Sequence, residues 1–352
     1  MLRKDKHQKF CTRLAIIIVN YRTPDMVIEC LKSLKTEISD HLVQVVVVDN
    51  DSGDGSVEYL LASIEEHGWT RWATVLPQDR NLGFAAGNNV AIRYLLALKE
   101  PPDNLLLLNP DTVVHGGAVE QLSRFLEVRP EAGIVGAQLV DKTHSLQSSA
   151  RRFPSVLSEL EAGARLGVLS NLLKGHVVAL PPAEKPHRCD WVSGAAMMVR
   201  RQLFEQVGLM DEGFFLYFEE VDFCKRVSSC GWQVWLEPAA KVMHFEGGAT
   251  CIRQVRRRRG QYWYNSRRRY FIKHHGLLTW LMADLLWGGG RLSLLFRSCF
   301  GLGGNVSADP ICFFRDLILG DLKALLKGDA WNIWRVANRR GTSNSLNGNF
   351  PA

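Results

Sequence analysis

Along the first 140 positions, apolar residues come in short continuous runs separated by stretches of helical periodicity. Leu14–Val19 is a run rich in β-branched residues with no polar break, which predicts a strand buried on both faces. Pro24 suits the first turn of a helix, and the apolar spacing carries that helix through Leu34. Val43–Val48 predicts a second buried strand, ended by the turn-forming Asp49-Asn50-Asp51-Ser52-Gly53-Asp54-Gly55. Ala73–Leu76, Leu105–Leu108 and Gly133–Leu139 predict three more strands. Helices over Val57–Glu65, Ala85–Leu98 and Ala118–Val128 fall between them. Strands alternating with helices of this length imply βαβ units, an α/β class with a mostly parallel central sheet flanked by helices. Ligands of such sheets sit at the carboxyl ends of the strands, and polar clusters stand there after Val48, Leu76 and Leu108.

From Lys142 to Arg188 the periodicity fades and prolines punctuate the chain, which predicts a loop-rich, substrate-facing insertion. Trp191–Val199 returns as a buried strand, Glu219–Ser229 reads as a helix, and Gln233–Leu236 as a short strand. Beyond Arg253 the pattern is helical and basic, then amphipathic, then polar after Arg339. These shifts divide the chain into an α/β domain over residues 1–252, with halves at about 14–140 and 141–252, and a helical C-terminal region over 253–352. Leu277–Trp287 is apolar but shorter than a bilayer span, contains Asp284 and runs into Gly288-Gly289-Gly290. No transmembrane helix is expected, and Met1–Lys9 has no apolar signal-peptide core.

Composition changes this picture in one place. The net charge of +7 is concentrated between Arg253 and Lys273, where nine Lys or Arg occur with no acidic residue, and the remainder is close to neutral. A local patch of this kind argues against a nonspecific nucleic-acid coat. Interleaved with Tyr262, Trp263, Tyr264, Tyr270 and Phe271, it suits an anionic membrane surface or a diphosphate-bearing ligand. The eight cysteines form no C-x-x-C pair, which fits a reducing cytoplasm better than a disulfide framework.

Several clusters could carry chemistry. Asp49 follows a buried strand, where a carboxylate can meet a base or ribose or simply make a turn. Asn81-Leu82-Gly83-Phe84-Ala85-Ala86-Gly87-Asn88 opens a helix with small residues, which permits close approach of an anion or tight packing. Asn109-Pro110-Asp111 follows four leucines, so one carboxylate arrives at the sheet edge, able to bridge a divalent cation to a diphosphate or to cap the next helix. Glu219, Glu220 and Asp222 crowd among aromatic residues, where proton affinity rises in the manner a general base needs. His244 is either a structural histidine or a metal ligand.

Taken in order, Asn20-Tyr21, Val48-Asp49-Asn50-Asp51-Ser52, Asn81 to Asn88, Leu108-Asn109-Pro110-Asp111, Trp191-Val192-Ser193-Gly194-Ala195, Phe218-Glu219-Glu220-Val221-Asp222 and His244 resemble family 2 glycosyltransferases, and within them the rhamnosyltransferase-like branch. The match runs from about Leu14 to Gly276. The resemblance implies a GT-A fold and an inverting transferase that uses Mg²⁺ or Mn²⁺. The sugar, rhamnose from dTDP-rhamnose being one candidate, would pass from a nucleotide-diphosphate donor to a glycan or polyprenyl-diphosphate-linked acceptor in cell-surface polysaccharide synthesis. It implies donor contacts from Asn20, Asp49, Asn81, Gly83, Asn88, Asn109 and Asp111, and metal ligation by Asp111 and His244. Glu220 is implied as the base. Asp222 and Arg226 would orient its helix or meet substrate, and Trp191, Ser193, Gly194 and Glu219 would serve the acceptor side. Asn109 stands where the family's Asp-x-Asp often begins with a carboxylate, and Glu220 where aspartate is usual. The expected place is the inner face of the cell membrane, peripherally attached through Arg253–Lys273, with no nucleic-acid partner and a homo-oligomer left open. The alternatives are a sugar nucleotidyltransferase, which would want a basic, Gly-rich phosphate loop where Asn20-Tyr21-Arg22-Thr23-Pro24 stands, and a noncatalytic protein binding membrane or nucleic acid through the basic segment.

Overall fold

A computed structural model describes residues 13–37, 42–245, 258–302 and 310–344. Its elements in chain order begin β1 (Leu14–Asn20), α1 (Pro24–Leu34), β2 (Leu42–Asp49), α2 (Ser56–Glu66), β3 (Ala73–Pro77) and α3 (Phe84–Leu96). There follow β4 (Asn104–Leu108), β5 (Thr112–Val114), α4 (Ala118–Val128), β6 (Ala132–Val140), β7 (Ala150–Arg151), α5 (Val156–Ala164) and α6 (Gly167–Leu172). The remainder is β8 (His187–Cys189), β9 (Trp191–Val192), β10 (Ala196–Arg200), α7 (Arg201–Gln206), α8 (Glu219–Ser229), β11 (Gln233–His244), α9 (Gln261–Cys299), α10 (Phe313–Leu326) and α11 (Asp329–Asn344).

Two compact units divide the chain. The first takes residues 1–151, 181–210 and 223–250; the second takes 152–180, 211–222 and 251–352. Two stretches before residue 252 thus group with the C-terminal helices.

The first unit is built on a sheet of order β3-β2-β1-β4-β10-β6-β11-β5, with β8 added on β11. Its strands β1 and β4 are buried along their whole length, and this explains their unbroken apolar runs. The pairs β1–β2, β1–β4, β2–β3 and β6–β11 are parallel. However, β10 runs antiparallel between β4 and β6, and β11 is antiparallel to both β5 and β8. The sheet is therefore mixed, not mostly parallel. A buried strand reads the same in either direction, so the hydrophobic pattern carried no sign of this reversal. The expected strand Trp191–Val199 is in fact β9 and β10, broken over Ser193-Gly194-Ala195. The expected short strand Gln233–Leu236 continues to His244, alternating buried and more open residues through Lys241.

The second unit is helical among its described residues. The stretch from Lys142 to Arg188, expected to be loop-rich, holds α5 and α6; α5 begins with a capping box formed by Ser155 and Ser158. Gly163 and Gly290 let α5 and α9 meet backbone to backbone: a Cβ on Gly290 would lie 2.6 Å from the Ala164 nitrogen. Within α9, Gly276 adopts φ 84° and ψ 172°, a conformation natural only to glycine, and the helical run breaks there. No helix among the described residues is long and apolar enough to cross a membrane.

Candidate active site

In the first unit the predicted donor residues gather at the carboxyl ends of β1, β2 and β4. Asp49 is buried, and its oxygens accept from Asn20 Nδ2 at 2.7 Å, Ser52 Oγ at 2.7 Å and Ser52 N at 3.0 Å. Asn20 Oδ1 in turn accepts from Thr23 N and Oγ1 at the start of α1. Asp49 and Asn20 thus fix the 49–52 turn from within, and Asp51 is the exposed carboxylate just beyond, in a left-handed conformation at φ 59°. A non-glycine residue there is strained, and such strain concentrates at ligand sites. Sequence reading singled out Asp49 and passed over Asp51; no apolar pattern marks it.

Asn81 shapes the approach to α3. Its Oδ1 accepts from Gly83 N and from Asn50 Nδ2, both at 2.9 Å, while Asn50 Nδ2 also donates to the Gly83 carbonyl. Gly83, at φ 92°, is the N-cap. Asn88 is buried and donates to the Phe84 carbonyl, so it braces the first turn of α3. Gly87 is demanded by packing, since a Cβ there would stand 2.8 Å from Val19 Cγ1.

Asp111 and His244 are far apart in sequence and adjacent in space. The antiparallel register of β5 and β11 pairs Thr112 with His244, and Phe245 N donates to the Asp111 carbonyl at 3.0 Å. His244 Nε2 consequently lies 3.3 Å from Asp111 Oδ1, with Asn109 Nδ2 at 3.5 Å. Asn109 Oδ1 and His244 Nδ1 are buried with no hydrogen-bond partner among the described residues. Orphaned polar atoms are costly unless something else satisfies them. Among the described residues no cluster of three or more His, Cys, Asp or Glu side chains forms. The protein offers two ligands here, a carboxylate and an imidazole, and Mg²⁺ or Mn²⁺ commonly takes the rest from phosphates and water. The donor set therefore fits a divalent cation. Beside it, Asn109 N donates to the Ala195 carbonyl, and Ser193 Oγ accepts from Ala195 N. The Ser193-Gly194 turn thus stands next to the start of the Asp111 loop. Trp191 is buried in β9, with the Arg151 guanidinium 5.2 Å from its ring centre.

The acidic cluster lies in the second unit. Tyr217 and Phe218 are both left-handed, each at φ 69°, directly before the first turn of α8. Ser266 donates to the Leu216 carbonyl at 3.0 Å; Tyr217 stacks on Tyr262 and Phe218 packs on Tyr270. This strained turn holds two neighbouring carboxyl groups in different surroundings. Glu219 is buried, and burial first, then the charge of Glu220, drives its proton affinity well up. Glu220 is only half-buried. Asp222, 0% exposed, accepts from Lys273 Nζ at 2.6 Å and His274 Nε2 at 2.7 Å. Lys273 also pairs with Asp211 at 2.6 Å, and Arg269 meets Asp211 at 2.8 Å. Burial pushes Asp211 upward, but Lys273 and Arg269 outweigh it and hold the carboxyl below its ordinary value.

Arg226, further along α8 and within the first unit, gives two donors to the carbonyls of Val207 and Leu209 at 2.8 and 2.9 Å. Its action is on the loop after α7.

Part of the basic segment is turned inward. Residues 246–257 lie outside the described residues; of the rest, Arg267 pairs with Glu159 and Asp284, Arg268 with Asp321, and Arg258 with Asp316. Arg267 and Arg268 are buried, as are Tyr264, Tyr270 and Phe271. These five lie in the interior of the helical unit, while Arg258 stays exposed. The counter-charges come from positions far along the chain, so a local window showed only the basic half.

The family model for glycosyl transferase family 2 matches residues 15–208. The chain belongs to glycosyl transferase family 2. Relatives of this transferase include N-acetylglucosaminyl-diphospho-decaprenol L-rhamnosyltransferase of Mycobacterium tuberculosis, 30% identical over 250 residues, which cover 67% of this chain and 77% of that protein. Rhamnosyltransferase WbbL of Escherichia coli is 27% identical over 234 residues, covering 65% and 82%. Among solved structures, mannosyltransferase PcManGT from Pyrobaculum calidifontis, in complex with GDP-Man and Mn²⁺, aligns with a TM-score of 0.51 at 15% identity over 97% of this chain and 89% of that one. GalNAc-T7 with UDP, GalNAc and Mn²⁺ aligns with a TM-score of 0.51 at 13% identity over 83% and 58%. Both likenesses speak to the fold, which is GT-A. The transferase is thus an enzyme of the glycosyltransferase class, and neither a nucleotidyltransferase nor a noncatalytic binding protein.

Proposed function

We propose that this glycosyltransferase moves L-rhamnose from dTDP-rhamnose, with inversion, to a hydroxyl of a polyprenyl-diphosphate-linked sugar in cell-surface polysaccharide synthesis. The observation that carries the site assignment is the Asp111–His244 pair, brought to 3.3 Å by strand register beside two orphaned buried polar atoms. Asp111 and His244 would hold the cation, which when bound neutralises charge on the departing diphosphate. Asn109, whose Nδ2 lies 3.5 Å from His244 Nε2, is assigned to the donor side with them.

Glu220 is assigned as base. Its carboxylate takes the proton from the acceptor hydroxyl as that oxygen forms a bond to the anomeric carbon; the bond from that carbon to the phosphate oxygen breaks, and dTDP leaves with the electron pair. Burial and the neighbouring Glu220 raise the proton affinity of Glu219, and Glu220, the more open of the two, is assigned the reacting role. Asp222 is a positioning residue, anchoring the first turn of α8 to Lys273 and His274. Asp51, held open by the Asp49–Asn20–Ser52 bonds, is assigned to a nucleoside hydroxyl; Asn81, Gly83 and Asn88 shape the helix start that faces the donor. Trp191, Ser193 and Gly194 serve the acceptor side. The named acceptor of the mycobacterial relative, a diphospho-decaprenol, supports a peripheral place on the inner face of the cell membrane.

The test is turnover with a panel of nucleotide sugars and polyprenyl-diphospho-N-acetylglucosamine, with Mn²⁺ or with a chelator. Expected is dTDP release from dTDP-rhamnose alone, abolished by the chelator and by Asp111→Asn. Full turnover with another donor overturns the sugar assignment, and full turnover in chelator overturns the cation site.

A further inference from the structure

The helices after Gly276 are apolar on two sides. In α9 the buried side is Trp280, Ala283, Trp287 and Leu294. Opposite it, Leu278, Leu281, Met282, Leu285, Leu292 and Phe296 recur at three-, four- and seven-residue steps and are exposed, Leu278 at 71% and Leu285 at 73%. In α10 the buried side chains include Leu317 and Ala324, while Ile318, Leu322 and Leu326 face out, Leu326 at 87%. Trp331 and Trp334 are exposed on α11. Most of the exposed large hydrophobic side chains among the described residues belong to these helices. Isolated exposed leucines need no explanation, but a continuous stripe marks an interaction surface.

Charge on the same helices is sorted by side. Their acids Asp284, Asp316 and Asp321 are directed to Arg267, Arg258 and Arg268. Lys323, Lys327 and Arg335 are exposed, and Asp329 is the one exposed acid among described residues 277–338. We propose that this apolar and basic face seats on an anionic lipid bilayer, an inference that rests on the reading of a membrane-borne acceptor for its purpose and names the surface that serves it.

Three features select lipid over a second copy of the chain. A two-fold contact through this face would bring Lys323, Lys327 and Arg335 of both copies together with almost no exposed acid to pair them. Anionic headgroups supply that counter-charge. Tryptophan and phenylalanine beside leucine suit the boundary between headgroup and acyl chain, and no described helix can cross. The transferase lies on the membrane through α9 beyond Gly276, α10 and α11, while Arg258, Arg267 and Arg268 pair with the acids of these helices.

The test is co-sedimentation of the full 352-residue chain with vesicles of phosphatidylglycerol or of phosphatidylcholine, read without donor or acceptor. The variant Leu278→Ser/Leu285→Ser/Leu292→Ser should lower binding to both vesicles by at least about tenfold, since each fully buried leucine contributes about a factor of ten. Lys323→Gln/Lys327→Gln/Arg335→Gln should lower binding to phosphatidylglycerol alone by at least about tenfold and flatten its salt dependence. All altered residues are exposed, so unchanged melting and turnover on a water-soluble acceptor are expected for both variants. No vesicle binding by the parent chain overturns the proposal, as does undiminished binding by the leucine variant. A parent dimer by light scattering that the leucine variant converts to monomer assigns the face to self-association and also overturns it. Vesicle binding that persists while dTDP-rhamnose fails as donor counts against the substrate reading alone.

Discussion

Asp222→Asn removes one buried charge while keeping the side-chain shape. The carboxylate is 0% exposed and accepts from the Lys273 ammonium at 2.6 Å and from His274 Nε2 at 2.7 Å. Breaking a buried ion pair by removing one partner costs about 3–5 kcal/mol. Lys273 keeps Asp211 at 2.6 Å, which places the loss near the lower end, about 3 kcal/mol. At roughly 2–4 °C per kcal/mol for a unit of this size, the melting temperature should fall by roughly 6–12 °C. Function should change as well, because Glu219 and Glu220 occupy the turn that Asp222 anchors. A displacement of about 1 Å costs on the order of a hundredfold in rate. Thermal unfolding by circular dichroism, together with steady-state kcat and donor KM, reads both effects; kcat should fall by about two orders of magnitude with little change in donor KM. A melting shift below about 2 °C with kcat within about twofold would show that the Lys273–His274 anchor does not position α8.

Two further outcomes follow from the packing and the buried charges. Burial, then the charge of Asp284, raise Asp321 to about 7 against the pull of Arg268, compared with an ordinary value of 3.8. A carboxyl with a raised folded value lends stability that is complete below the ordinary value and is lost as pH rises through the folded one. The melting temperature should therefore decline between about pH 4 and 7, and Asp321→Asn should reduce that slope; an unchanged slope refutes the assignment. Gly136→Ala would bring a Cβ to 2.6 Å from the Val192 Cβ and should cost about 1–3 kcal/mol by urea unfolding, whereas a neutral result would mean β6 and β9 yield freely.

The elements most legible in the sequence were those whose environment is uniform. Strands β1 and β4 are buried along their full length, so their apolar runs identify them directly. Strand direction is absent from such a run, which is why β10 could not be told from a parallel strand. β5, only three residues long, has too few positions to show a period. The Asn109-Pro110-Asp111 turn was visible locally, but its proximity to His244 depends on the β5–β11 register and so belongs to the fold. Asp49 is instructive in another way: its position after a strand was read from the sequence, while the bonds from Asn20 and Ser52 that turn it inward appear only in three dimensions. The arginines of 258–273 show the same limit, because their partners Glu159, Asp211, Asp284, Asp316 and Asp321 are scattered over the chain.

The most direct measurement compares Glu220→Gln with Glu219→Gln for donor affinity and for sugar transfer under single-turnover conditions. If Glu220 takes the acceptor proton, Glu220→Gln binds the donor normally and transfers about 10²–10⁴-fold more slowly. Glu219→Gln, which replaces the buried carboxyl of raised proton affinity, should transfer within about tenfold of the parent chain. Normal transfer by Glu220→Gln, or a deeper loss in Glu219→Gln, would contradict the assignment of the base.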